Sequence, residues 1–181
     1  MLKIHIEETE LFDENKNEFI QVKAQDLCLE HSLVSIKKWE SVWHIPFLSS
    51  KKTNAQIIDY IRYMTITQNV SPYVYMALTQ KNIDEINDYI NDPSTATTFS
   101  DLSKNKKKGK KEILTNELIY YYMFSLSIPK ECEKWHINSL ITLLKIFEYK
   151  NGDQKKMSRQ DIYANNKVLN AARKARLHTR G

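Results

Sequence analysis

Residues 112–150 read EILTNELIYYYMFSLSIPKECEKWHINSLITLLKIFEYK, the longest apolar region of the chain, interrupted once by Pro129. Leu114, Leu118, Tyr121, Tyr122 and Leu126 recur at helical spacing, and so do Ile137, Leu140, Ile141, Leu144 and Phe147. Two amphipathic helices are expected. Proline is costly inside a helix but well placed in a first turn, so Pro129 should end one helix and open the next. Two apolar faces joined by so short a connection should pack on each other as a central helical hairpin, which the remaining elements then cover.

Upstream, Leu2, Ile4 and Ile6 alternate with Lys3, His5 and Glu7, and after the turn-forming DENKNE the residues Phe19, Ile20 and Val22 resume an extended pattern. Period-two alternation on both sides of a turn predicts a β-hairpin across residues 2–30, with one face needing cover. Short helices should fill residues 32–92. Ser32 caps a helix bearing Leu33, Ile36, Trp39 and Trp43 and stopped by Pro46; Thr53 or Asn54 caps one bearing Ile57, Ile58, Ile61 and Met64. Another begins at Ser71-Pro72, and a further one carries Ile83, Ile86 and Ile90. The core should include Ile36, Trp39, Ile61, Leu118, Trp135, Leu140 and Leu144. The expected fold is α+β, mostly α: an N-terminal β-hairpin packed on a multi-helix domain spanning residues 1–154.

The run STATTFSDLSKNKKKGKK has no periodicity, so residues 93–111 read as a mobile, lysine-rich loop. Past Asn151-Gly152-Asp153, Ser158 stands three residues before Asp161 in a capping-box pattern, and residues 155–181 read as a basic C-terminal helix or arm. Charge is distributed unevenly. Residues 1–103 hold 9 Lys/Arg against 15 Asp/Glu, residues 104–154 hold 10 against 6, and residues 155–181 hold 8 against 1. An acidic front and a basic tail suggest two surfaces with different partners, or two copies meeting end to end.

At 181 residues and 41% hydrophobic content the chain can bury a core without metal or disulfide help. Three glycines cannot build glycine-rich phosphate loops, and there is no nucleophile elbow or zinc-protease motif. Two cysteines form no disulfide framework, and no run approaches the roughly 20 apolar residues that span a bilayer. One constellation has metal-ligand spacing, Cys28-x2-His31 with Cys132-x3-His136; core packing is the ordinary alternative for all four. Acidic pairs such as Glu131/Glu133 and Asp84/Glu85 point apart on a helix. Neither an enzyme nor a cofactor is expected.

The words LEHSLVSIKKWESVWHIPFLS (29–49), IDYIRYMTITQNVSPYVY (58–75), TATTFS (95–100), ELIYYYMFSLSIPKECEKWHINSLITLLKI (117–146) and KKMSRQDIYANNKVLNAARKARLHTRG (155–181) resemble, in order, the tail assembly chaperones of tailed bacteriophages. The blocks SLVSIxKWE and IPxECxKWH carry the resemblance most specifically. It implies a non-enzymatic protein of the host-cell cytoplasm that coats the long tape-measure protein, is displaced as tube subunits polymerise, and is usually absent from the finished virion. Such a chaperone must shield apolar helix faces reversibly. Tyr120, Tyr121, Met123 and Phe124, with Trp43, are the candidate client-binding residues, although burial of both faces of a central helix would account for the same run. Lys167, Arg173, Lys174, Arg176 and Arg180 form a candidate basic partner surface. Self-association is expected through the opposed charges. Two other readings stay open: a structural virion component, such as a tail connector or baseplate piece, and a nucleic-acid-binding accessory protein using the basic loop and tail.

Overall fold

The computed structural model describes residues 1–14, 16–97, 112–151, 163–164 and 166–170. Alternation at the N-terminus produces one long antiparallel ribbon. β1 (Leu2–Ile6) pairs with β4 (Gln25–Leu29), and β2 (Thr9–Asp13) pairs with β3 (Glu18–Val22). Leu2 faces Leu29 and Asp13 faces Glu18, so the same register runs through both ladders across an unpaired break at Glu7-Glu8. This is the hairpin expected over 2–30, followed by helices, and the fold is α+β and mostly α.

The base of the ribbon is buried. Ile4, Ile6, Leu27 and Leu29 turn one face inward, and the free edge of β4 is occupied by backbone that follows α2 (Asn54–Met64). There Glu30 N–H donates to Met64 O at 2.9 Å, Ile66 N–H to Cys28 O at 2.8 Å, and Cys28 N–H to the Thr67 hydroxyl at 2.9 Å. On the other side, α4 (Gln80–Asn91) packs along β1, where Asn82 Nδ2 donates to His5 O at 3.2 Å. An isolated two-stranded ribbon is marginal in water, and these contacts supply what its base lacks.

The organising helix is α1 (Leu33–Trp43). Ser32 caps it reciprocally with Ser35, and Leu33, Ile36, Trp39 and Glu40 form its buried side. α2, α5 (Asn116–Ser125) and a 3-10 turn at Lys130–Lys134 all pack on it, while α3 (Pro72–Met76) lies against α2 and β3. The central hairpin expected over 112–150 is therefore corrected: α5 packs on α1 rather than chiefly on α6 (Ile137–Asn151). The reason is local. Ser127 takes a left-handed conformation (φ 53°), and the bonds Ser127 N–H to Phe124 O (3.1 Å) and Ile128 N–H to Met123 O (2.8 Å) close α5 before Pro129 is reached. Pro129 then precedes the 3-10 turn instead of opening α6.

Four expected core residues are buried, namely Ile36, Trp39, Ile61 and Leu140. Leu118 and Leu144 are half-buried, and Trp135 is 48% exposed. Trp135 leaves the 3-10 turn with extended backbone, so neighbouring side chains point to opposite sides, and His136, 8% exposed, takes the inward position. The chain divides into two units, Met1–Ala96 with Glu112–Leu144, and Thr97–Lys111 with Lys145–Gly181. The elements above build the first. In the second, the end of α6 and residues 163–164 and 166–170 are helical. The lysine block Lys104–Lys111 and the Ser158–Asp161 cap lie outside the described residues, and among the described residues no helix is long and apolar enough to cross a membrane.

Candidate functional site

The outer face of α5 departs from ordinary core-and-surface patterning, because it exposes two large aromatic rings. Thr115 caps the helix by accepting a bond from Leu118 N–H. One turn of the helix is then fixed to α1 by a buried carboxylate: Glu40 Oε2 accepts from Asn116 N–H at 2.8 Å and from Asn116 Nδ2 at 2.6 Å, while Glu40 Oε1 accepts from Phe47 N–H at 2.7 Å. Asn116, Ile119 and Met123 consequently face inward. With that end pinned and the Ser127 turn closing the other, the rotation of α5 is set. Tyr121 and Phe124 are left 63% and 65% exposed.

Tyr120 borders this face. It is half-buried, its ring stacks on Phe124 with centroids 6.3 Å apart, and its hydroxyl donates to Glu133 Oε2 at 2.9 Å. Lys37 Nζ lies 5.2 Å from the Tyr120 ring centroid. Burial and the adjacent Glu133 carboxylate hold the Tyr120 phenol well above its ordinary ionisation range, so it stays a neutral donor. Around it Tyr121 meets Tyr122 edge-on at 5.6 Å, and the Tyr122 hydroxyl donates to Glu112 at 2.7 Å. The result is an apolar face with polar anchors at its margin, a form suited to holding another apolar helix.

The candidate residues separate. Tyr120, Tyr121 and Phe124 share this part of α5. Met123 does not: it is 1% exposed and belongs to the core, because the Glu40–Asn116 anchor rotates it onto α1. Trp43 lies on the α1–α2 seam, half-buried, where its Nε1 donates to Asp59 Oδ2 at 2.9 Å. Of the basic residues, Lys167 is exposed and helical, and Arg173, Lys174, Arg176 and Arg180 lie outside the described residues. One exposed aromatic pair went unread in the sequence: Phe12 and Phe19, opposed on β2 and β3. Their equal distance from the hairpin turn was the available signal.

The four side chains with metal-ligand spacing are only half assembled. His31 and His136 meet with ring centroids 5.1 Å apart, but no three His, Cys, Asp or Glu side chains gather among the described residues. Three of the four ring nitrogens are engaged in hydrogen bonds. His31 Nδ1 bonds the Tyr60 hydroxyl; His136 Nε2 reaches Tyr89 O at 3.0 Å, and its Nδ1 accepts from Asn138 N–H at 3.3 Å. Burial, His136 and Lys52 push the His31 pKa from 6.5 down to about 3. The His31 ring is therefore neutral, and the two rings tie the β4–α1 turn to the start of α6, where His31 O also accepts from Ile137 N–H at 2.8 Å.

No protein-family model, curated protein or solved structure matches the chain.

Proposed function

We propose that this chain is a non-enzymatic tail assembly chaperone, which binds the tape-measure protein and shields its apolar helices while the tail tube assembles. The observation that carries the reading is the pair Tyr121 and Phe124, exposed on a helix whose opposite side is locked into the core. A helix apolar on both sides, with one side already committed, keeps the other for a partner. Aromatic rings suit a client whose sequence varies along its length, because they give contact area with few rotatable bonds. The word resemblance to the phage chaperones supplies the client class.

Coexpression with the tape-measure protein of the same tail gene cluster tests this. The client is expected to stay soluble and to copurify at about 0.5 M salt, where exposed charge pairs are largely screened. Tyr121→Ser with Phe124→Ser should abolish copurification while leaving the chaperone folded. A client that aggregates equally with and without the wild-type chain would overturn the reading, and recovery of the chain in purified particles would favour a structural virion component.

A further inference from the structure

The tip of the ribbon differs from its base in what its open face carries: the base exposes Lys3, His5 and Asp26, whereas the tip exposes two aromatic rings. Phe12 and Phe19 oppose each other directly across β2 and β3, with ring centroids 5.0 Å apart, yet they remain 50% and 68% exposed. Strand alternation puts Glu10 on the same face as Phe12, opposite Gln21, and Glu8 accepts a bond from Gln21 Nε2 at 2.8 Å. Residues 7–18 hold six Asp/Glu against a single lysine, Lys16. That lysine is engaged locally, donating to the Tyr73 hydroxyl at 3.0 Å. Two such tips pressed together symmetrically would juxtapose like charges. What covers the phenylalanines has to bring cations and apolar side chains in one segment.

The chain itself contains a segment of that kind. Residues 155–181 hold eight Lys/Arg against one Asp. Residues 163–164 and 166–170 within it are helical, and Tyr163, Val168 and Leu169 are 83%, 67% and 41% exposed beside the exposed Lys167. We propose that the 155–181 segment of a second copy docks on the ribbon tip, its apolar side chains against Phe12 and Phe19 and its cations against Glu8, Glu10 and Glu14. The contact joins two different surfaces, so a reciprocal exchange closes a dimer and a one-way succession extends a chain. It stands independently of the chaperone reading, since neither surface includes α5.

A charge-exchange experiment on the full chain tests it. One variant carries Glu10→Lys with Glu14→Lys, and the other Lys167→Glu with Arg173→Glu and Lys174→Glu; circular dichroism verifies that both fold. Wild-type protein is expected to self-associate with rising concentration in sedimentation velocity, and to weaken as salt goes from about 0.05 M to about 0.5 M. Each variant alone opposes like charges and should lose at least about tenfold in association. Mixed together, each variant offers the surface that the other lacks, and association should return. Phe12→Ser with Phe19→Ser should also abolish it, without charge change. Wild-type chain that is monomeric at every soluble concentration overturns the proposal. So does a mixture that stays dissociated, or a tail reversal that removes only retention of duplex DNA and leaves self-association intact.

Discussion

Two aromatic groups of similar composition meet water in opposite ways. Trp39, Tyr60 and His31 gather around Phe47, which lies 4.0 Å from Tyr60 and 5.1 Å from Trp39 between ring centroids, and each of the three aromatic side chains Trp39, Phe47 and Tyr60 is 5% exposed or less. Tyr121 and Phe124 stay more than three-fifths exposed on α5. Aromatic content does not distinguish the two groups; convergence does. The sealed group draws on the β4–α1 turn, α1, the loop after it and α2, and each element closes a different side. Its polar atoms are also met: Trp39 Nε1 donates to Gln56 O at 2.9 Å, and Lys52 Nζ donates to Phe47 O at 2.6 Å while lying 4.0 Å from the Phe47 ring centroid. The exposed group comes from one helix whose other side is occupied. An aromatic run becomes core only where several elements converge on it.

Breaking the sealed group should have the largest effect. Trp39→Ala removes one of its rings and the indole hydrogen bond to Gln56 O, and is expected to cost about 3–5 kcal/mol in urea unfolding. Trp39→Phe, which keeps most of the packing, should lose far less. Next comes the carboxylate joining the sealed group to α5. Glu40→Ala strands three buried donors, Phe47 N–H and both groups of Asn116, and should cost about 3 kcal/mol. Glu40→Gln keeps two acceptor lone pairs and should recover part of that. If Glu40→Ala were neutral, α5 would not be held by this anchor, and the outward aiming of Tyr121 and Phe124 would need another cause.

Acid separates the two groups further, because only the sealed one contains a buried histidine. Folding keeps His31 neutral down to about pH 3, whereas the unfolded chain protonates it near 6.5. Stability supplied by the neutral ring is thus complete above about pH 6.5 and is lost as pH falls toward 3. At about pH 5 the loss amounts to about 2 kcal/mol. Urea midpoints at about pH 7.5 and pH 5 should show it in the wild type, and His31→Phe should flatten the difference by about that amount. An equally steep pH dependence in the variant would assign the effect to other groups.

The ribbon and the helices before residue 92 were legible because local signals agreed. Alternation marked the strands, and Ser32, Thr53 and Ser71-Pro72 marked helix starts that the structure retains. The rotation of α5 was not legible. Leu118 and Tyr121 fit a helical stripe as well as Ile119 and Met123 do, so periodicity could not choose between faces. The choice is made by a bond between Glu40 and Asn116, residues far apart in sequence, and a polar pair does not register as core in a hydrophobicity pattern. Burial of Met123 and exposure of Trp135 escaped for the same reason: each follows from a cap or turn whose geometry appears only when the chain is assembled.

The smallest effect on stability is expected where the proposed function is most sensitive. Phe124 touches the rest of the chain through its stack on Tyr120, one helical turn away, and such pairs contribute about 0.2–0.5 kcal/mol. Tyr121 has its edge contact with Tyr122. Phe124→Ala should therefore cost about 0.5 kcal/mol or less, with Tyr121→Ala similar, since substitutions at exposed positions seldom do more. Removing two large aromatic rings almost without loss of stability would mean that the chain keeps them for something other than its own fold. A loss above about 1.5 kcal/mol for either would place that ring within the chain's own packing in solution. The difference between the two aromatic groups would then vanish, and with it the basis for a client on α5.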